Sequence, residues 1–137
     1  MDLDFLKQTK DELIDVPLLF DDETGEPTDG FKVVGMNSDA YQDADRDFQK
    51  DQLRRSSRRG RGIDTSTATG ADEMMKAMRK HELVLVKACI REVYGFASGG
   101  VPAVLSPELL DTIFAARPAW VPKVLAEIRM ERGFTTP

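Results

Sequence analysis

The chain has 137 residues, of which 41% are hydrophobic and 31% charged, a composition typical of one globular domain with a real core. No apolar run approaches the roughly 20 residues that span a bilayer, and the acidic N-terminus lacks the basic-then-apolar order of a secretory signal. A single cysteine excludes an internal disulfide and a cysteine-based metal cluster. We therefore expect a single intracellular domain, 1–137, without a membrane segment.

The net charge of −5 conceals an uneven distribution along the chain. Residues 1–51 hold 15 acids and 5 bases, whereas residues 52–137 hold 9 acids and 14 bases. The two halves can attract each other within one chain, or head to tail between copies.

A β-hairpin is predicted over residues 16–36. A short apolar run is followed by an acidic turn that contains glycine and proline, and then by a predicted return strand, 31–36. Two strands alone are marginally stable in water, so we expect this hairpin to lie on helices.

A charged helix over residues 38–54 is predicted next, with Ser38 as its N-cap. Residues 55–70 then contain few apolar groups, so their composition predicts a flexible loop rich in arginine, glycine and threonine. The arginines at this junction are Arg54, Arg55, Arg58, Arg59 and Arg61.

The longest predicted element is a central helix over residues 71–96. Its apolar face combines residues spaced by three or four positions, namely Met75, Met78, Val86, Cys89, Ile90 and Val93. Because charged residues interrupt this face before residue 83, we expect the second half to be buried and the first half to be wetter or to face a partner. After a linker at 98–102, two more helices over 106–134 form a predicted αα-hairpin, with Ser106 as N-cap and Pro107 first in the helix.

These elements predict a mainly α fold, a compact helical domain of about four helices with a small N-terminal β-hairpin and a C-terminal αα-hairpin. We find no catalytic, cofactor or metal site in the sequence. His81 is the only histidine, and its helical position opposite the apolar face predicts a solvated side chain. Cys89 lies on the apolar face, where a free cysteine acts as a small hydrophobe. The chain is therefore predicted not to be an enzyme.

The arginine cluster has two interpretations. It can neutralise phosphates of nucleic acid, or it can be a solvated loop that balances the acidic N-terminal half. The pI near 4.9 and the lack of aromatic residues among the arginines favour the second interpretation.

The order of short motifs resembles that of the tail assembly chaperones of long-tailed bacteriophages, of the siphophage or lambda-like type. An acidic turn at 22–27 precedes a strand at 31–35, residues 37–41 open a charged helix, and a long helix ends at 93–96. Two helix starts at 106–110 and 119–124 and a glycine-phenylalanine pair at 133–134 complete the layout. Phe96 stands where the family often has tryptophan.

The resemblance implies a non-enzymatic protein of the host cytoplasm, absent from the mature virion. It implies binding to the tape measure protein, recruitment of major tail protein, and possible self-association. Composition separately predicts no membrane segment and disfavours nucleic acid as a partner. Two alternatives are a small connector or tail-completion protein retained in the virion, and a nucleic-acid-binding accessory protein that uses the arginine loop. We predict that Trp120, with Phe114 and Val124 near it, contacts the partner, because the C-terminal hairpin offers more apolar residues than it can bury.

Overall fold

The structure of the chain, a computed structural model, describes residues 2–59 and 67–130. Within these ranges it contains five helices and five strands. Their order is α1 (Leu3–Thr9), β1 (Ile14–Phe20), β2 (Pro27–Val33), α2 (Asp39–Arg59), α3 (Ala68–Cys89), β3 (Ile90–Tyr94), β4 (Ala97–Ser98), β5 (Val101–Pro102), α4 (Pro107–Ala116) and α5 (Trp120–Met130).

The fold is a mixed α/β domain, which corrects the predicted mainly α domain of about four helices. Helices account for 56% of the structure and strands for 20%. The strands form two antiparallel sheets, one of three strands and one of two, instead of a single hairpin. The difference arises after residue 89, where the chain leaves the helix and pairs with β2.

The larger sheet has the order β1-β2-β3, so β2 is its middle strand. Alternate side chains point to opposite faces of a strand, and one face carries the buried Val16, Phe31 and Val33. Phe31 lies opposite Val16 on β1 and opposite Val93 on β3. Helix α5 packs against both β1 and α3, so the core forms between this face of the sheet and the helices.

The central helix predicted for residues 71–96 is wrong beyond residue 89. Helix α3 ends at Cys89, and Ile90 adopts an extended backbone with φ −75° and ψ 123°. Strand β3 then pairs with β2 and places Val93 opposite Phe31. This pairing satisfies backbone groups along the second edge of β2 that a continuous helix would leave without ladder partners.

The predicted linker, residues 98–102, forms with Ala97 the short strands β4 and β5 and the turn between them. Gly99 and Gly100 connect them, and both have positive φ, which glycine adopts without the steric cost of a side chain. The Ala103 N–H donates to the Phe96 carbonyl at 2.8 Å, so the chain comes back beside Phe96 before α4 begins.

The two helices predicted at the C-terminus are α4 and α5. Ser106 accepts a hydrogen bond from the Leu109 N–H at 3.1 Å, and Pro107 occupies the first helical position. The two helices are joined by a tight turn in which the Trp120 N–H donates to the Arg117 carbonyl at 3.0 Å. Residues 131–134, the predicted end of this hairpin, lie outside the described residues.

Helices α2 and α3 pack side by side and are joined by only eight residues, so they form an antiparallel helical hairpin. Ser38 caps α2 as predicted, because its hydroxyl accepts a hydrogen bond from the Tyr41 N–H at 3.3 Å. Both helices extend into the region predicted as a loop, and residues 60–66 of that loop lie outside the described residues. None of the described helices combines the length and the apolar character that a membrane crossing requires.

Candidate partner-binding surface

Two of the three residues predicted to contact a partner lie in the core. Phe114 is 5% exposed and Val124 is fully buried, and the ring of Phe114 lies 5.7 Å from that of Phe31 between centroids. Trp120 is half-buried, with its ring 6.4 Å from that of Phe96. Of the three residues, only Trp120 keeps surface that a partner can contact.

The arginines predicted for electrostatic contact fall partly on a helix. Helix α2 continues through Arg59, so the backbones of Arg54, Arg55 and Arg58 are helical. Arg54 is exposed, whereas Arg61 lies outside the described residues. Four of the five predicted arginines therefore lie in the last turns of α2.

His81 is buried, which corrects its predicted solvated position. Its Nε2 lies 3.1 Å from Asp45 Oδ1 on α2, and its ring stacks on Phe48 with centroids 3.8 Å apart and planes 13° apart. Only 7% of the residue is exposed. His81 therefore joins α3 to α2, on a face that the periodicity of α3 alone does not identify.

Cys89 is a core residue, as its position on the apolar face predicted. Burial raises the pKa of its thiol to about 11, an effect partly offset by the charge of Arg91 and by a hydrogen bond with Ser38. Thiols react as thiolates, so at neutral pH this protonated, enclosed group is a poor nucleophile.

The outer face of the sheet carries a groove that the sequence did not reveal. It has a volume of about 630 Å³ and is lined by Asp15, Glu26, Pro27, Lys32, Glu92 and Tyr94. The Tyr94 hydroxyl crosses over β2 to donate to Asp15 at 2.7 Å, and Lys32 lies 3.9 Å from Glu92. Gly30 permits this crossing, because an added Cβ would lie 2.5 Å from the Tyr94 hydroxyl.

Polar side chains that line the groove are paired with one another. Burial, the hydrogen bond to Asp15 and the negative charges of Asp15 and Asp29 raise the pKa of Tyr94 to about 12. The phenol therefore remains a protonated donor at neutral pH. Tyr94 is paired with Asp15, and Lys32 is paired with Glu92, so these polar groups of the groove bind one another.

The core face of α3 continues into the N-terminal half of the helix, where it is uncovered. Steps of three and four residues carry this row from Cys89 through Leu85 and the half-buried Glu82 back to Met78, Met75 and Ala71. Cys89 and Leu85 are fully buried, whereas Met78 is 42% and Met75 53% exposed. We call Ala71, Met75 and Met78 the α3 stripe.

The α3 stripe lies beyond His81, on the side away from the contact between α5 and α2. Arg129, at the end of α5, donates from Nε to the Tyr41 hydroxyl at 3.0 Å. Tyr41 lies one turn before Asp45, and Asp45 contacts His81. The end of α5 therefore lies on the sheet side of His81, and the stripe lies on the other side.

We call residues 46–59 of α2 and 68–80 of α3 the arm. It extends about 20 Å beyond the Asp45–His81 contact, given 1.5 Å per helical residue. The arm holds nine bases and four acids, a net charge of +5 in a chain whose total is −5. It thus combines an exposed apolar stripe with a positive charge, and it is the strongest candidate for a binding surface.

A metal site has less support in the described residues than a partner-binding surface has. Within residues 2–59 and 67–130, no group of three or more His, Cys, Asp or Glu side chains could hold a metal ion. Comparisons with protein-family models, curated proteins and solved structures gave no match.

Proposed function

We propose that this chain is a non-enzymatic assembly chaperone for phage tails. It binds the tape measure protein and brings major tail protein to it in the host cytoplasm. The order of sequence motifs supports the family, and the α3 stripe supports the binding role. The exposed half of this apolar row offers a protein partner the same kind of apolar side chain that its buried half contributes to the core.

The side chains of the stripe suit a partner of varying sequence. Methionine is unbranched and polarizable, so it packs against apolar groups of different shapes. Met75 and Met78 lie three residues apart and are neighbours on the helix surface. A protein that covers successive segments of a long chain needs this adaptability more than it needs one shaped pocket.

Co-expression with the tape measure protein of the same genome tests this proposal. The wild-type chain should keep the tape measure protein soluble and co-purify with it. The double variant Met75→Gln/Met78→Gln should lose most of this effect, because glutamine retains helix propensity but not the apolar surface. Met130→Gln is the matched control, since Met130 is 57% exposed but lies on α5. A double variant that co-purifies as well as the control would show that the stripe is not the binding surface.

Mass spectrometry of purified particles separates the chaperone from a connector or tail-completion protein. A chaperone is absent from finished particles, whereas a connector is retained in a fixed ratio to the other tail proteins. Recovery of this chain from purified particles at such a ratio would overturn the proposal.

The positive arm is the one observation that favours the nucleic-acid alternative. Phosphate binding by the arm would weaken steeply as salt increases, because binding releases counterions. The arm provides little for base stacking, since Phe48 is already covered by His81. A shift assay with single- and double-stranded DNA at 50 and 200 mM salt, about the range over which such contacts are lost, tests this alternative directly.

A further inference from the structure

We infer that the α3 stripe receives an amphipathic helix with acidic flanking residues, supplied by the partner protein. This partner class holds only if the chain binds a protein as proposed above. Three observations carry it: the packing of α5 on α3, the dimensions of the stripe, and the charge of the arm.

Helix α5 shows what kind of element fits this row. In the body of the domain α5 packs on α3, and its buried residues Val124, Leu125 and Ile128 form one apolar face of an amphipathic helix. The buried Leu85 and Cys89 of α3 belong to the same row as Met75 and Met78. A second helix placed on the stripe would continue the layer that α5 begins.

The size of the stripe also matches a helix. Ala71 and Met78 are seven residues apart, so the stripe is about 10 Å long, which is two helical turns. Helices that bind in grooves present anchors at positions i, i+3 or i+4, and i+7, which cover the same length. The row that includes Gly70, Met74 and Ala77 is half-buried or buried, so α2 flanks the stripe along one side.

The positive charge of the arm favours an amphipathic helix with acidic flanking residues over one with basic flanking residues. The exposed Lys76, Arg79 and Lys80 lie on α3, and Lys50 and Arg54 are exposed on α2. By sequence the rest of the described chain holds 18 acids and 8 bases, so the excess of bases over acids is confined to the arm. A partner helix with glutamates beside its apolar face is attracted to this region, and one with lysines is repelled.

Two synthetic peptides with one apolar face and opposite flanking charges test this inference on the full chain. Each is an 18-residue amphipathic helix with the same leucines, flanked by glutamates in one and by lysines in the other, and each carries a fluorophore for anisotropy. We expect the glutamate peptide to bind about tenfold more tightly or better, and the difference to shrink in 1 M salt, where the Debye length is about 3 Å. Met75→Gln/Met78→Gln should weaken binding at least about tenfold, and Met130→Gln should not.

Each of the other outcomes would reject a different part of the inference: the acidic partner class, the stripe as the binding surface, or a partner protein as its occupant. Equal affinity for both peptides, still lost in Met75→Gln/Met78→Gln, would reject the acidic partner class while leaving the proposed chaperone function intact. Binding that ignores the double substitution would reject the stripe. A double substitution that abolishes self-association in sedimentation, without changing peptide affinity, would assign the stripe to a second copy. If a chain that ends at Met130 bound the peptides more tightly than the full chain does, residues 131–137 would be the segment that occupies the stripe.

Discussion

Replacing His81 with alanine tests the junction between the arm and the rest of the domain. The ring stacks on Phe48 at 3.8 Å, and such aromatic pairs contribute about 0.5–1.5 kcal/mol beyond their buried area. The contact with Asp45 at 3.1 Å is a hydrogen bond to a carboxylate, a class that contributes about 1.5–3 kcal/mol. Because the Asp45 side chain is 37% exposed, water recovers much of that second contribution. We expect His81→Ala to lower the free energy of unfolding by about 2 kcal/mol.

Urea unfolding followed by circular dichroism measures this loss. Lys80→Ala, one position away and exposed, is the matched control and should change stability by less than about 0.5 kcal/mol. A double-mutant cycle with Asp45→Ala isolates the pairwise contribution of the hydrogen bond. If His81→Ala proved as stable as the control, the histidine would not join the two helices and the solvated position predicted from the sequence would be restored.

Three further predictions concern the sheet, the thiol and the tryptophan. Gly30→Ala should destabilise the protein by about 1–3 kcal/mol in urea, because its Cβ would lie 2.5 Å from the Tyr94 hydroxyl. Burial and Asp15 raise the pKa of Tyr94 to about 12, above the value near 10 of an unfolded tyrosine. The resulting stability is present below pH 10 and is lost as pH rises from about 10 to 12, so the decline should be smaller in Tyr94→Phe, and equal declines would contradict this. The Cys89 thiol should react with a disulfide reagent only on unfolding, and fast reaction in native buffer would contradict its burial. The fluorescence of Trp120, the only tryptophan, should shift to longer wavelength on unfolding, and an unchanged spectrum would mean that its ring is already solvated.

Local signals identified the elements that carry strong start and stop residues. Ser106 and Pro107 predicted the beginning of α4, and the structure places the cap and the first helical position there. The turn between β1 and β2 was likewise predicted from its acids and glycine. Gly25 adopts a positive φ of 72° in that turn, a conformation that favours glycine. In both cases the determining interactions lie within a few residues of one another.

Strand β3 could not be predicted, because its determinant is distant in sequence. Positions three or four apart predict a helix, and Val86, Ile90 and Val93 fit that spacing. Val93 instead faces the core from a strand because Phe31, 62 positions earlier, presents an unpaired edge of β2. The same limit explains Phe114 and Val124, whose burial depends on how the sheet and α5 meet.

The row along α3 shows both what periodicity reveals and what it leaves open. From the sequence, the first half of the central helix was expected to be wetter or to face a partner, and these alternatives could not be separated. The structure adds that Met75 and Met78 occupy the same row as the fully buried Leu85 and Cys89. The half-buried Glu82 interrupts the row between them, yet apolar side chains aligned with the core continue beyond it at Met78 and Met75. The exposed part of the row lies within the positively charged arm, and a covering helix must meet both properties together.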